Sequence, residues 1–363
     1  MKLENGRCGK LRCSTPRSPK AGIDTFDPRR IVMRKVSRFL WILVAAVLAV
    51  GTGTLAFAGG QKEAGGAKSK TIVFIPKSTD VTYWLFLRKG AADKAKELGY
   101  TVSYQGVSRE SDVTGEVNLV RNTVTSRPAG ILCAATDAQA LVPPIEEGIK
   151  AGTPIIMVDS GVNSDAPLAS ITTDNFNGGY QLGKVLANLI GGKGKVINLG
   201  ITAGSQTGRE RDQGFLAAMK ENPDITVLPT QWTSAEAATA MNDTTDLLNS
   251  NPDVNGIYSA AAPMAVGAAQ ALKAKSLDKK VNLVTFDPSP EVIPLFEDKT
   301  IQAIAAQNPY QMGYQGVTML DTVIKGGTIP PDKKKIQIPV VIITPDNYKS
   351  PDVQKLMQTP GTF

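Results

Sequence analysis

Beyond residue 70 the chain alternates short apolar runs with longer stretches in which apolar residues recur every three or four positions. The runs TIVFI at Thr71, TVSY at Thr101, GILCAA at Gly130 and PIIMVD at Pro154 are bounded by turn residues and predict buried strands. Between them, YWLFLRKGAADKAKELG, VTGEVNLVRNTVTS and LVPPIEEGIKAG carry helical spacing, and Gly99 and Gly152 stand where a helix C-cap needs a left-handed residue. The alternation then starts over. KVINLG at Lys195, ITVLPTQW at Ile225, GIYSA at Gly256 and VNLVTFD at Val281 supply strands, with helices predicted over 209–222, 235–250, 262–274 and 290–298.

Repeated β-α-β units with doubly buried strands imply parallel sheets covered by helices on both faces. Two successive sets of such units predict an α/β protein of two similar Rossmann-like lobes rather than one large sheet. The segments ASITTDNFNGGYQLG and IQAIAAQNPYQMGYQG each read as a strand followed by a helix. Asp174 or Asn175 caps the first helix, and the two segments are candidate crossings between lobes.

The formal charge of +7 over 363 residues points at first to an acidic partner, but its distribution removes that reading. Residues 1–58 hold 11 Lys/Arg against 3 Asp/Glu, and the remainder holds 29 against 30. Within the basic front, Arg34, Lys35 and Arg38 precede the apolar run FLWILVAAVLAV, and Ala56-Phe57-Ala58 forms a small-x-small cleavage site. Residues 33–58 are therefore expected to be a secretory signal peptide cut before Gly59, which places the protein in the periplasm; an uncleaved membrane anchor is the alternative. Residues 1–32 are expected to be an extension upstream of a natural start at Met33, and GGQKEAGGAKSK over 59–70 a flexible linker. Cys8 and Cys13 fall in the extension, which leaves Cys133 in an apolar run that predicts a buried, inert thiol.

The chain contains no histidine, which removes Ser-His-Asp and Cys-His catalysis and most zinc sites. GGKGKVINLG places its glycines ahead of a strand, GSQTGRE lacks the Gly-Lys-Ser/Thr of a P-loop, and DNFNGG lacks the remaining ligands of a calcium loop. No enzyme, cofactor, metal or nucleic-acid partner is expected. Open α/β sheets bind ligands at the carboxyl ends of their strands. The residues after the apolar runs are Lys77, Asp159, Arg209, Trp232, Asp287 and Gln307, with Tyr83 and Trp84 at the mouth of the first strand. Flat aromatics beside carboxylate, guanidinium and amide groups suit a sugar, whose ring faces stack while each buried hydroxyl needs a partner. Each residue also has a plainer role open to it. Tyr83 or Trp84 could serve the core, Asp159 and Asp287 could cap turns, and Trp232 could cover a sheet edge. A cation at Arg209, in a first helical turn, opposes the helix dipole and asks for a reason.

From Thr71 to about Val340 the chain resembles the periplasmic sugar-binding proteins of the ribose-binding type, the recognition subunits of ABC importers. The stretches that carry the likeness are YWLFLRKGAADKAKELGY, PIIMVD, TTDNFNGGYQLG, GRERDQGF, LVTFD and AIAAQNPYQMGYQGV. The resemblance implies a hinge of three segments, with an N-terminal lobe over 71–173 plus 308–329 and a C-terminal lobe over 174–307 plus 330–363. It implies stacking by Tyr83, Trp84 and Trp232, polar contacts from Asp159, Arg209 and Asp287, and a hinge glutamine at Gln307. Its partners would be a small carbohydrate and an inner-membrane ABC permease, with a chemoreceptor or sensor kinase as the sensing alternative and a monomer as the working form. Ser160 stands where ribose binders carry arginine, Ala261 and Ala262 where they carry Asn-Asp, and Lys77 where they carry a small polar residue. These departures lean toward the related receptors for a furanosyl autoinducer, whereas GRERDQGF and Gln307 keep the sugar pattern. A repressor effector domain shares the fold and is disfavoured by the signal segment and the balanced charge.

Overall fold

A computed structural model describes residues 69–357. The expected extension (1–32), signal peptide (33–58) and all but the last two residues of the linker (59–70) lie outside the described residues. Among the described residues no helix is long and apolar enough to cross a membrane.

The first half runs β1 (Thr71–Ile75), α1 (Tyr83–Leu98), β2 (Thr101–Tyr104), α2 (Val113–Thr125), β3 (Gly130–Cys133), α3 (Val142–Lys150), β4 (Ile155–Asp159) and β5 (Ala169–Thr173). The second continues through α4 (Asn175–Leu189), β6 (Gly194–Gly200), α5 (Gln206–Lys220), β7 (Ile225–Val227), β8 (Gln231–Trp232), α6 (Ala237–Ser250) and β9 (Val254–Ser259). It ends with α7 (Ala262–Ala274), β10 (Asn282–Phe286), α8 (Val292–Glu297) and β11 (Ile301–Ala306). The tail adds α9 (Pro309–Ile324), β12 (Lys335–Ile338), β13 (Val341–Ile343) and α10 (Pro351–Met357).

These strands form two sheets, ordered β12-β5-β4-β3-β1-β2 and β13-β11-β10-β9-β6-β7, with β8 also pairing β6. Every pairing is parallel except β11 with β13. The α/β architecture of two helix-covered lobes is the one the alternation predicts. In β1 the period of two splits the side chains between faces. Ile72 and Phe74 join a core with Trp84, Leu87 and the α9 residues Met312, Val317 and Leu320. Val73 and Ile75 join another with Val120, Leu141 and Ile145. Cys133 lies in this second core, free and buried, and burial pushes its thiol well above the usual range.

The assignment of 330–363 to the second lobe needs correction. β12 pairs in parallel with β5, from Lys335 opposite Ser170 to Ile338 opposite Thr173, so it extends the first sheet. Ile336 and Ile338 pack against the first-lobe core, and the chain joins the second sheet at β13. The run ITVLPTQW is also not one strand, because it breaks between Val227 and Gln231 around Pro229, which has no N–H for a ladder.

Helix packing inside the second lobe depends on two glycines from the motifs that carry the family likeness. A Cβ on Gly179 would stand 2.2 Å from the Arg211 carbonyl oxygen, and one on Gly214 would stand 1.9 Å from that of Phe176. Only hydrogen at both positions lets α4 and α5 approach backbone to backbone. That approach fixes where Arg211 stands.

Candidate ligand-binding site

The strand ends of both sheets meet around one cavity of about 780 Å³, its mouth to solvent included. Six of the eight residues singled out from the sequence line it: Lys77, Tyr83, Trp84, Asp159, Asp287 and Gln307. Asp159 ends β4 and Asp287 follows β10, and both have left-handed backbone, with φ of 65° and 68°. Asp tolerates this conformation better than most residues, and such conformers concentrate at binding sites.

A polar chain links the two carboxylates. Lys77 Nζ pairs with Asp159 Oδ1 at 3.2 Å, with both groups buried. The Tyr83 hydroxyl donates to Asp159 Oδ2 at 2.8 Å and lies 3.4 Å from Gln307 Oε1. Gln307 Nε2 donates to Asp287 Oδ1 at 2.8 Å, and its Oε1 accepts from the Thr173 hydroxyl. Burial pushes the Asp287 carboxyl up to about 6, against the opposing pull of Arg211 and the Gln307 hydrogen bond. Burial, with Asp159 and Asp287 nearby, also holds the Tyr83 hydroxyl well above its ordinary value, so it stays a donor. Trp84 is 2% exposed and serves the first-lobe core while lining the cavity, set edge-on to Tyr83 at 5.0 Å.

Arg209 and Trp232 do not line the cavity. Arg209 Nη1 donates to the carbonyls of Ala203 and Gly204, which is the reason for a cation in that first turn. Trp232 is 38% exposed and lies over Gly200 of β6, at the place of an edge cover.

A second cation at the cavity, beside Lys77, is Arg211, 2% exposed. Its Nε donates to Asn175 Oδ1 at 2.9 Å, its Nη1 donates to the Ala260 carbonyl at 2.7 Å, and its guanidinium lies 3.9 Å from the centre of the Phe286 ring. Helical spacing is the signal that identifies it. Gly208, Arg211, Phe215 and Ala218 fall on one buried stripe of α5, whereas Arg209 is turned away from it. Glu110, Thr207 and Ala235 also line the cavity.

The two lobes touch directly beside the cavity. Lys77 Nζ also donates to Ser205 Oγ at 3.3 Å, and the Thr207 hydroxyl donates to the Asp159 carbonyl at 3.2 Å. The Gly161 amide donates to Gln206 Oε1 at 3.0 Å, and that of Ala138 donates to the Gly204 carbonyl at 3.0 Å. Lys77 thus spans the cleft as well as lining the cavity, and Arg209 steadies the loop that Ala138 engages. Among the described residues no group of His, Cys, Asp and Glu is arranged to hold a metal ion.

Two parallel-sheet lobes closed over a cavity at their strand ends define a two-lobed, cleft-type binding protein. The chain belongs to the periplasmic binding protein domain family, whose model matches residues 72–328. It is 29% identical over 270 residues to the ribose import binding protein of Haemophilus influenzae, across 74% of this chain and 89% of that protein. The D-allose-binding periplasmic protein of Escherichia coli is 29% identical over 266 residues, 71% of this chain and 86% of that one. Among solved structures, a carbohydrate transporter solute-binding protein from Agrobacterium radiobacter in complex with D-arabinose matches with a TM-score of 0.76 at 31% identity. The match covers 80% of this chain and 99% of that chain. An ABC transporter solute-binding protein from Agrobacterium vitis with bound D-fucose gives a TM-score of 0.76 at 30% identity, over 79% of this chain and 100% of that chain.

Proposed function

We propose that the protein captures a neutral monosaccharide in the interlobe cleft, without chemical turnover, and delivers it to the permease of an ABC importer. One observation carries the reading: Arg211 is buried at the cavity with no carboxylate within ion-pairing distance among the described residues, while Asp159 and Asp287 line the same space. A buried charge needs charge-assisted hydrogen bonds, and the hydroxyls of a sugar supply both donors and acceptors to such a set. Tyr83 and Trp84 offer the aromatic surface. Lys77, Tyr83, Trp84, Asp159, Arg211, Asp287 and Gln307 form the proposed contact set, with Arg211 in the place first given to Arg209.

The family and the signal-like segment together support a periplasmic protein released by cleavage before Gly59, with a monomer as the proposed working form. Affinity should be micromolar or tighter, roughly −8 kcal/mol or better. A second reading, receptor for a furanosyl signal read out by a chemoreceptor or sensor kinase, draws on Lys77 and on the small Ala261-Ala262 wall of the cavity.

A thermal-shift panel of D-ribose, D-arabinose, D-allose, D-fucose and the furanosyl signal, with mass spectrometry of any co-purifying small molecule, tests both. Stabilisation by at least one monosaccharide is expected. No response to any sugar and no sugar in the purified protein would exclude the first reading, and response to the furanosyl signal alone would select the second.

A further inference from the structure

The tripeptide Arg109-Glu110-Ser111 lies just ahead of α2 in the first lobe, in a polar loop with no apolar period. Its outer two members reach the second lobe. Arg109 Nη1 lies 3.9 Å from the Glu236 carboxylate, and Ser111 Oγ donates to Glu236 Oε1 at 3.4 Å. Glu236 is the residue ahead of α6 and the neighbour of Ala235, which lines the cavity. Between these two cross-cleft contacts, Glu110 lines the cavity itself.

Neither carboxyl oxygen of Glu110 has a hydrogen-bond partner among the described residues, and Oε2 is fully shielded from solvent. The nearby cations are engaged elsewhere: Lys77 with Asp159 and Ser205, and Arg211 with Asn175 and Ala260. Burial pushes the Glu110 carboxyl up to about 7, with Lys77 and Arg211 pulling down and Asp159 and Asp80 pushing up. Trp84 Nε1, also at the cavity, is a buried donor with no partner. An orphan acceptor and an orphan donor at one cavity cost about 1–3 kcal/mol each unless a ligand satisfies them.

Taking the cleft as a monosaccharide site, we propose that Glu110 is a specificity-determining contact, carried over the ligand by the loop that Arg109 and Ser111 pin to Glu236. Its carboxyl accepts a hydroxyl on the face of the ring toward the mouth, so it distinguishes sugars by the position of that hydroxyl. It also excludes ligands with a carboxylate or phosphate there, since two like charges at one buried place repel.

The test is calorimetric titration of the exported protein and its Glu110→Ala and Glu110→Gln variants with D-ribose, D-arabinose, D-allose, D-fucose and D-galacturonate. Because the one shielded oxygen of this half-buried carboxyl is unpaired, both variants should leave the unliganded melting temperature unchanged or raised. Glu110→Ala should weaken the best sugar about tenfold or more, in line with a charge-assisted hydrogen bond, and compress the differences among the four neutral sugars. Glu110→Gln, which keeps one acceptor, should fall between, and D-galacturonate should gain relative to the neutral sugars in both variants. Unchanged affinities in Glu110→Ala would overturn the proposal. So would an equal loss for every sugar, because that is the mark of impaired closure rather than of discrimination. A wild-type protein that binds none of the four neutral sugars would instead overturn the monosaccharide reading on which this rests.

Discussion

Asp159 and Asp287 occupy corresponding places in the two lobes. Each stands at the carboxyl end of a strand third from the edge of its sheet, with φ near +65°, and a chain through Tyr83 and Gln307 connects them. Their electrostatic settings differ. Asp159 holds Lys77 in a buried ion pair, whereas Asp287 has an amide partner and a carboxyl pushed up to about 6 by burial.

That difference predicts unequal stability effects from the same substitution. Asn tolerates the left-handed backbone at both sites. Asp159→Asn leaves Lys77 buried without its counter-charge, and should cost about 3 kcal/mol or more. Asp287→Asn should change stability by less than about 1 kcal/mol, since the charge it removes is one that burial already disfavours. Both should weaken sugar binding about tenfold or more through the lost charged acceptor. Urea unfolding and calorimetry of the two variants check this; equal stability losses would contradict the asymmetry.

The two tryptophans beyond residue 58 should separate cleanly. Trp84 packs against Phe74 and Tyr83 in the core, so Trp84→Ala should cost about 3–5 kcal/mol of stability and abolish binding. Trp232→Ala should cost under about 1 kcal/mol and alter affinity little, given its place on the sheet edge. Fluorescence gives the readout. The emission change on adding sugar should persist in Trp232→Phe and vanish in Trp84→Phe, and the reverse pattern would return Trp232 to the site.

Glu116 is fully buried in α2, where its Oε2 accepts the Thr136 amide while Oε1 has no partner. Burial raises its carboxyl from 4.5 to about 7, the hydrogen bonds from Thr136 opposing the shift. A raised carboxyl in the folded state binds protons that the unfolded chain has released. Its contribution is therefore complete below pH 4.5 and is lost as pH rises through 7, by about 3 kcal/mol. Urea midpoints should fall from pH 5 to pH 8. Glu116→Gln should fall less and exceed the wild type at pH 8, and parallel pH profiles for the two proteins would contradict the assignment.

Most of the architecture is legible in the pattern of apolar runs, because a strand buried on both faces has no solvent side at which to place polar residues. Asp159 and Gln307 are legible for a related reason, since each stands where such a run stops at the mouth of the sheet. Arg211 escaped because distance from a strand end points to the first cation of GRERDQGF, whereas the geometry of a helix points to the one sharing a face with Gly208 and Phe215. β12 escaped because an edge strand of four residues alternating Lys, Ile, Gln and Ile is indistinguishable from a polar tail until its partner is known. Glu110 leaves no signal at all: it is one charge in a polar loop, and only the cross-cleft contacts of its two neighbours reveal where it stands.

Arg211 is the arginine that lines the cavity and is proposed to meet the sugar, whereas Arg209 binds the loop at Ala203 and Gly204. Calorimetric titration of Arg211→Ala and Arg209→Ala with the sugar that stabilises the wild type most tests this directly. No measurable binding by Arg211→Ala and affinity within about fivefold of wild type for Arg209→Ala are the predicted results. Near-normal binding by Arg211→Ala, or loss of binding confined to Arg209→Ala, would contradict the site described.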